Sequence, residues 1–213
     1  MIIAVDGPAA SGKGTLARRL AETFGLHYMD TGLVYRAVGM AVLRQLGHTD
    51  DPAAAEDAAR ALELADLDDP ALRGDDAAEA ASRISAIPAV RAALLCMQRR
   101  VAETPPGAVL DGRDIGTVVC PEADHKLFVT ADLETRAERR LKELRGRGAD
   151  VIYPDILRDL RTRDERDSRR AVAPLVPASG AFILDTSGMT ADQAFDCAYA
   201  HIVGPGPRVP DPK

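Results

Sequence analysis

The chain has few cysteines, no long apolar run and no surplus of positive charge, and each shortage narrows what it can be. Cys96, Cys120 and Cys197 are odd in number, far apart and without metal-ligand spacing. They exclude a disulfide framework and a cysteine zinc site, and they read as ordinary thiols of a reducing, cytoplasmic compartment. No apolar stretch reaches bilayer length, so no membrane contact is expected. The first apolar run is only a strand long and has no basic leader before it. A net charge of −6 argues against a general nucleic-acid binder. There is no internal repeat, and no Asn-Lys-x-Asp motif to read guanine.

The 213 residues, 46% hydrophobic and 28% charged, suffice for one globular core, expected over 1–203. Charge is unevenly spread. Residues 136–170 hold twelve Lys or Arg against eight Asp or Glu, whereas residues 47–87 hold three against eleven. Such a basic block can be a solvated helix face. Beside a phosphate-binding loop, a small polyanionic ligand explains it better.

That loop stands at the start of the chain. Ile2-Ile3-Ala4-Val5 leads into Gly7-Pro8-Ala9-Ala10-Ser11-Gly12-Lys13-Gly14-Thr15. A buried strand, a glycine-bounded turn and a helix opening on lysine wrap backbone N–H groups around nucleotide phosphates. Lys13 would reach the β- and γ-phosphates. Gly14 stands where Ser or Thr usually follows the lysine, and Thr15 supplies the hydroxyl one place later. The Gly-Lys-Gly-Thr form resembles nucleoside monophosphate kinases more than switch GTPases, which favours ATP as donor.

Short apolar runs at 108–110, 126–129 and 181–184 read as further buried parallel strands. Helical spacing follows the loop (Ala17, Leu20, Ala21, Phe24, ended by Gly25). It recurs at Val34, Val38 and Val42 after a cap at Asp30 or Thr31, and after Pro88. The alternation predicts a three-layer α/β/α fold of P-loop NTPase type with a parallel five-stranded sheet. A small helical acceptor-binding insert is expected over about 47–105 and a lid over about 136–170. The Pro/Gly-rich stretch 204–213 is expected to be disordered.

Four segments resemble the bacterial cytidylate kinases, and the likeness covers nearly the whole chain. They are the loop at 7–15, Asp-Thr-Gly-Leu-Val-Tyr-Arg at 30–36, Asp-Gly-Arg-Asp-Ile-Gly-Thr-Val-Val at 111–119, and Arg-Asp-Glu-Arg-Asp-Ser-Arg-Arg-Ala-Val-Ala-Pro-Leu at 163–175. The resemblance implies that Asp114, Ser82 and Arg91 read the base. A carboxylate accepts from cytosine's exocyclic amine, while Ser and Arg donate to its acceptors. It implies Arg36, Arg113 and Arg170 for the substrate phosphate, Thr31 for a contact with the acceptor nucleotide, and Arg163 and Asp167 for the sugar. Lys13, Arg113, Arg163 and Arg170 are the candidate catalytic cations. Residues 66–76 are too short for the β-hairpin that many relatives carry in the insert. From the residues alone, Asp114 also reads as a turn or cap, Ser82 and Arg91 as helix surface, Tyr35 as packing, and Asp111 as a structural acceptor or the holder of a magnesium-bound water.

The implied reaction is transfer of the γ-phosphoryl of ATP to the 5′-phosphate of CMP or dCMP, giving the diphosphate and ADP. Mg2+ would be held mainly by nucleotide phosphates and water, with no dedicated protein metal site. Positioning and charge neutralisation would supply the catalysis, and lid closure would exclude water. The basic segment 136–170 offers Arg140 and Arg166 as lid donors. A monomer is expected. The rival readings are a kinase for UMP, AMP or shikimate, and a nucleotide-sensing regulator without turnover.

Overall fold

A computed structural model describes residues 1–204; the expected tail falls, beyond Gly204, outside the described residues. Five parallel strands form one sheet: β1 (Ile2–Asp6), β2 (His27–Asp30), β3 (Ala108–Gly112), β4 (His125–Thr130) and β5 (Phe182–Asp185), ordered β2-β3-β1-β4-β5. The fold is the expected α/β domain. The apolar runs mark four strands, whereas β2 lies in what reads as a short link. It is an edge strand in which only Met29 is buried, so His27, Tyr28 and Asp30 give it no apolar signature.

Helices cover both faces. Leu16, Leu20 and Ala21 of α1 (Lys13–Phe24) and Ala194 and Ala198 of α8 (Ala191–Val203) pack on Ile3, Val5, Leu127 and Leu184. Across the sheet, Val34 and Val38 of α2 (Thr31–Leu46) and Val90 and Leu94 of α5 (Pro88–Glu103) pack on Ala4 and Leu110. Burying these aliphatic side chains supplies most of the stabilisation, about 1.5–3 kcal/mol for each large one. No single helix among the described residues is long and apolar enough to cross a membrane.

Two attachments frame the carboxyl ends of the strands, where an open α/β sheet binds ligands. The first contains α3 (Pro52–Ala61), two 3-10 turns (Leu64–Asp68 and Pro70–Arg73) and α4 (Asp75–Ile84). No strand occurs among the described residues of 47–87, consistent with a segment too short for a hairpin. Helix α4 lies close against α2 because Gly39 has no side chain; a Cβ there would stand 2.8 Å from the Cβ of Ala80. The second is the pair α6 (Leu133–Gly146) and α7 (Tyr153–Arg169), joined near Gly146 and Gly148, with its own small core of Ala137, Leu144, Ile156 and Leu160.

Candidate active site

The loop 7–12 turns under the N-terminus of α1. Gly7 has φ +153° and no room for a Cβ, which would run into the Val129 carbonyl; the chain reverses tightly there only with glycine. Helix α1 has no side-chain cap and no acidic residue in its first turn, so its free N–H groups and positive dipole end face the cavity. The Ser11 hydroxyl is buried without a hydrogen-bond partner. Two contacts hold the loop from behind: Thr186 Oγ1 donates to Ser11 O at 3.0 Å, and Arg139 donates to Thr186 O at 2.7 Å.

A cavity of about 580 Å³ opens over this loop, large enough for a nucleoside triphosphate. Residues 9–16, Arg36, Asp111, Arg113, Arg163, Thr186 and Met189 are among its lining residues. Of the predicted loop residues, 9–15 line this cavity, while Gly7 and Pro8 do not. Gly14 has a steric cause: a Cβ there would lie 2.9 Å from Asp111 Oδ2. Serine or threonine at 14 would displace that carboxylate.

Lys13 Nζ stands 3.7 Å from Asp111 Oδ1 and donates to Pro8 O at 3.4 Å. Burial, and after it the neighbouring guanidinium of Arg113, push the Lys13 ammonium down to about 8 against the pull of Asp111. Burial likewise raises the Asp111 carboxyl, with Lys13 opposing. Arg163 is lowered to about 10 by burial and then by Arg113. Its buried Nε finds no hydrogen-bond partner among the described residues. Lys13, Arg113 and Arg163 therefore converge on one cavity, with Lys13 paired to Asp111 and Arg113 to Asp167.

The predicted base and sugar residues meet in a second, smaller cavity of about 60 Å³, between α2, α4, α7 and the end of β3. Ser82, Arg91, Asp114 and Asp167 are all buried, which removes the helix-surface reading of Ser82 and Arg91. Arg91 Nη2 donates to Asp114 Oδ2 in a very short contact, and its guanidinium lies over the Tyr35 ring at 5.5 Å. Arg113 Nε donates to Asp167 Oδ2 at 3.1 Å. Burial works against ionisation of Asp167, but Arg113, Arg163 and Arg170 outweigh it and hold its carboxyl below the usual range. Thr31 spends its hydroxyl proton on the Asp111 carbonyl at 2.8 Å, tying α2 to β3. Arg36, which lines the larger cavity, is anchored by donating to Leu72 O at 3.0 Å.

Two more of the predicted cations lie away from the glycine loop, Arg170 beside Arg113 in the smaller cavity. Arg170 does not line the larger cavity; its Nη2 lies 3.8 Å from Asp114 Oδ1 and is buried without a hydrogen-bond partner. The chain leaves α7 at Arg169, and Ala173 at φ +51° turns it back, with Arg170 Nε donating to Ala173 O. That turn carries no sequence signal. Arg166 donates to Ser82 Oγ at 2.7 Å and so spans from α7 to α4 instead of facing the larger cavity. A hydroxyl oxygen already accepting from a cation turns its own proton outward, which makes Ser82 a donor to whatever enters.

Comparison with known proteins agrees along the whole chain. A family model described as cytidylate kinase matches residues 3–203. A cytidylate kinase of Paramagnetospirillum magneticum is 64% identical over 204 residues, covering 94% of this chain and 97% of that protein. One of Xanthobacter autotrophicus is 62% identical over 200 residues, covering 94% and 96%. Among solved structures, an uncharacterized protein of Eubacterium ventriosum superposes with a TM-score of 0.57 at 14% identity, over 96% of this chain and 99% of that one, a likeness of fold alone.

Proposed function

The chain belongs to the cytidylate kinase family, and from that membership we propose how its residues divide the work. It is an enzyme that phosphorylates CMP or dCMP with ATP. The observation that carries the division is the convergence of Lys13, Arg113 and Arg163, of which Lys13 and Arg163 are held below their usual protonation range first by desolvation and then by Arg113.

In this reading the ATP polyphosphate lies in the glycine loop, against the α1 amides and Lys13. Arg36 and Arg113 take the acceptor phosphate. Arg163, common to both cavities, bridges the acceptor sugar and the transferring group. Neither phosphate needs a general base, because the acceptor oxygen is already anionic. The cations spread transition-state charge in a site that holds little water. Magnesium is held by phosphate oxygens and water. The buried Asp111 Oδ1 has no hydrogen-bond partner and fits the role of holding one of those waters, and the metal supplies charge neutralisation.

Cytosine presents an amine donor next to the N3 acceptor. Asp114 Oδ1 and Arg170 Nη2, 3.8 Å apart, offer the matching acceptor and donor, with Ser82 donating alongside. Uracil carries a carbonyl where cytosine has the amine and would face the carboxylate. That mismatch costs about 1–3 kcal/mol. A 60 Å³ cavity does not admit a nucleotide, so the side chains around it rearrange as CMP enters. A monomer is proposed as the working unit. With Mg-ATP, CMP and dCMP should be turned over at least about tenfold more efficiently than UMP or AMP. Equal use of UMP would refute the base pocket.

Lys13 makes a second prediction. In the free protein it is half deprotonated near pH 8, whereas bound phosphate favours the ammonium. The complex therefore holds more protons than the free enzyme above pH 8, and affinity falls as pH rises through that point. Calorimetry with a non-hydrolysable ATP analogue at pH 8.5–9, in buffers of different ionisation enthalpy, should show net proton uptake. Buffer-independent heats would contradict it.

A further inference from the structure

Asp6 is the last residue of β1 and directly precedes Gly7. It is 3% exposed, it lines neither of the two cavities, and no step of the reaction uses it. Its two carboxylate oxygens are both engaged: Oδ1 accepts from Ile115 N and Oδ2 from Gly116 N, each at 2.8 Å. Those amides immediately follow Asp114. Asp114 has φ −147° and ψ 25°, outside the regular helix and strand regions, and its carbonyl accepts from Val118 N and Val119 N of the π-helical turn Ile115–Val119. Gly116 is fitted to this contact, since a Cβ would already be 3.4 Å from Asp6 Oδ2 and 3.1 Å from Ala178 Cβ.

Only a carboxylate can accept from two neighbouring amides at once. An asparagine of the same shape must turn its NH2 toward one of them, and a serine reaches only one. Burying a carboxylate among Asp111 and Asp114 is unfavourable, so the two amide bonds must repay a specific geometry. That geometry is the direction in which Asp114 leaves β3, toward Arg91 and Arg170. The register pairs Asp6 with Gly112, so the same carboxylate ties the root of the phosphate loop to the chain bearing Arg113 and Asp114.

We infer that Asp6 is a positioning residue for acceptor specificity: by clamping the Ile115 and Gly116 amides it aims Asp114 at the cytosine amine. The inference rests on the base-reading role of Asp114, so the two must be tested together. Asp6→Asn, Asp6→Ser and Asp114→Asn are assayed with CMP and UMP, with rates expressed per ATP-analogue-binding site. Asp6→Asn should raise KM for CMP and lower the CMP-to-UMP ratio of kcat/KM by about tenfold, with KM for ATP changed less than about twofold. Asp6→Ser, which keeps one acceptor and leaves room for water, should fall between wild type and Asp6→Asn. A purely structural Asp6 would lower the number of active sites and leave the ratio alone. An unchanged ratio in both Asp6 variants, or failure of both to fold, overturns the inference. If Asp114→Asn also leaves the ratio unchanged, the base reading itself is lost; if Asp114→Asn collapses the ratio alone, only the Asp6 role is.

Discussion

Asp114→Asn should lose roughly 10- to 100-fold in kcat/KM for CMP, since the substituted amide presents an NH2 group where cytosine needs an acceptor. KM for ATP should stay near wild type, because Asp114 lines only the smaller cavity. The same substitution should also destabilise the fold. Asp114 is the anion between Arg91 and Arg170, whose side chains are only 8% and 6% exposed. Removing one partner of a buried pair costs about 3–5 kcal/mol. For a chain of this size that corresponds to a melting temperature lower by roughly 6–20 °C. Saturation with CMP should recover little of it, because the ligand has lost the contact as well. Kinetics therefore need normalising to folded protein, and loss of CMP selectivity, not loss of total activity, is the diagnostic result. A variant that keeps CMP selectivity while melting early would make Asp114 a structural counter-ion only.

Arg163→Met should behave in the opposite way, with a large loss of turnover and little loss of stability. Its guanidinium is buried, repelled by Arg113, and has an Nε without a hydrogen-bond partner. Such a cation stabilises an unliganded fold poorly, so a methionine of similar reach should leave the melting temperature within a few degrees of wild type or raise it. Removing one preorganised charge from the transition state costs about 10²–10³ in kcat. ATP affinity should fall much less, because Lys13 and the α1 amides still hold the polyphosphate. Lost stability with retained kcat would show that Arg163 is part of the scaffold and not of the chemistry.

What could be read from the residues depends on how locally the chemistry is encoded. The phosphate loop is contiguous, so residues 7–15 announce their strand, turn and helix together. Ser82, Arg91 and Asp114 are separated by whole helices, and only packing reveals that they share one cavity. For Ser82 and Arg91 the sequence leaves burial open, because a serine and an arginine on Ala-rich helices look alike on either face. Arg170 follows the end of α7, and the turn that sets it beside Asp114 includes the positive φ of Ala173, which no residue there announces. Strand β2 is hidden because an edge strand needs only one buried side chain. Asp6 is the clearest omission. A charged residue closing an apolar strand looks like a boundary marker, and only the 109-residue separation to Ile115, bridged in space, reveals its use.

The most direct test is the structure of the protein with CMP and a non-hydrolysable ATP analogue bound together. The account predicts both nucleotides in one chain. The triphosphate would lie along residues 7–15, the cytosine amine on Asp114 and N3 facing Arg170, and Arg163 between the two phosphate groups. Mutual displacement of the two nucleotides, or a cytosine seated away from Asp114, would contradict it.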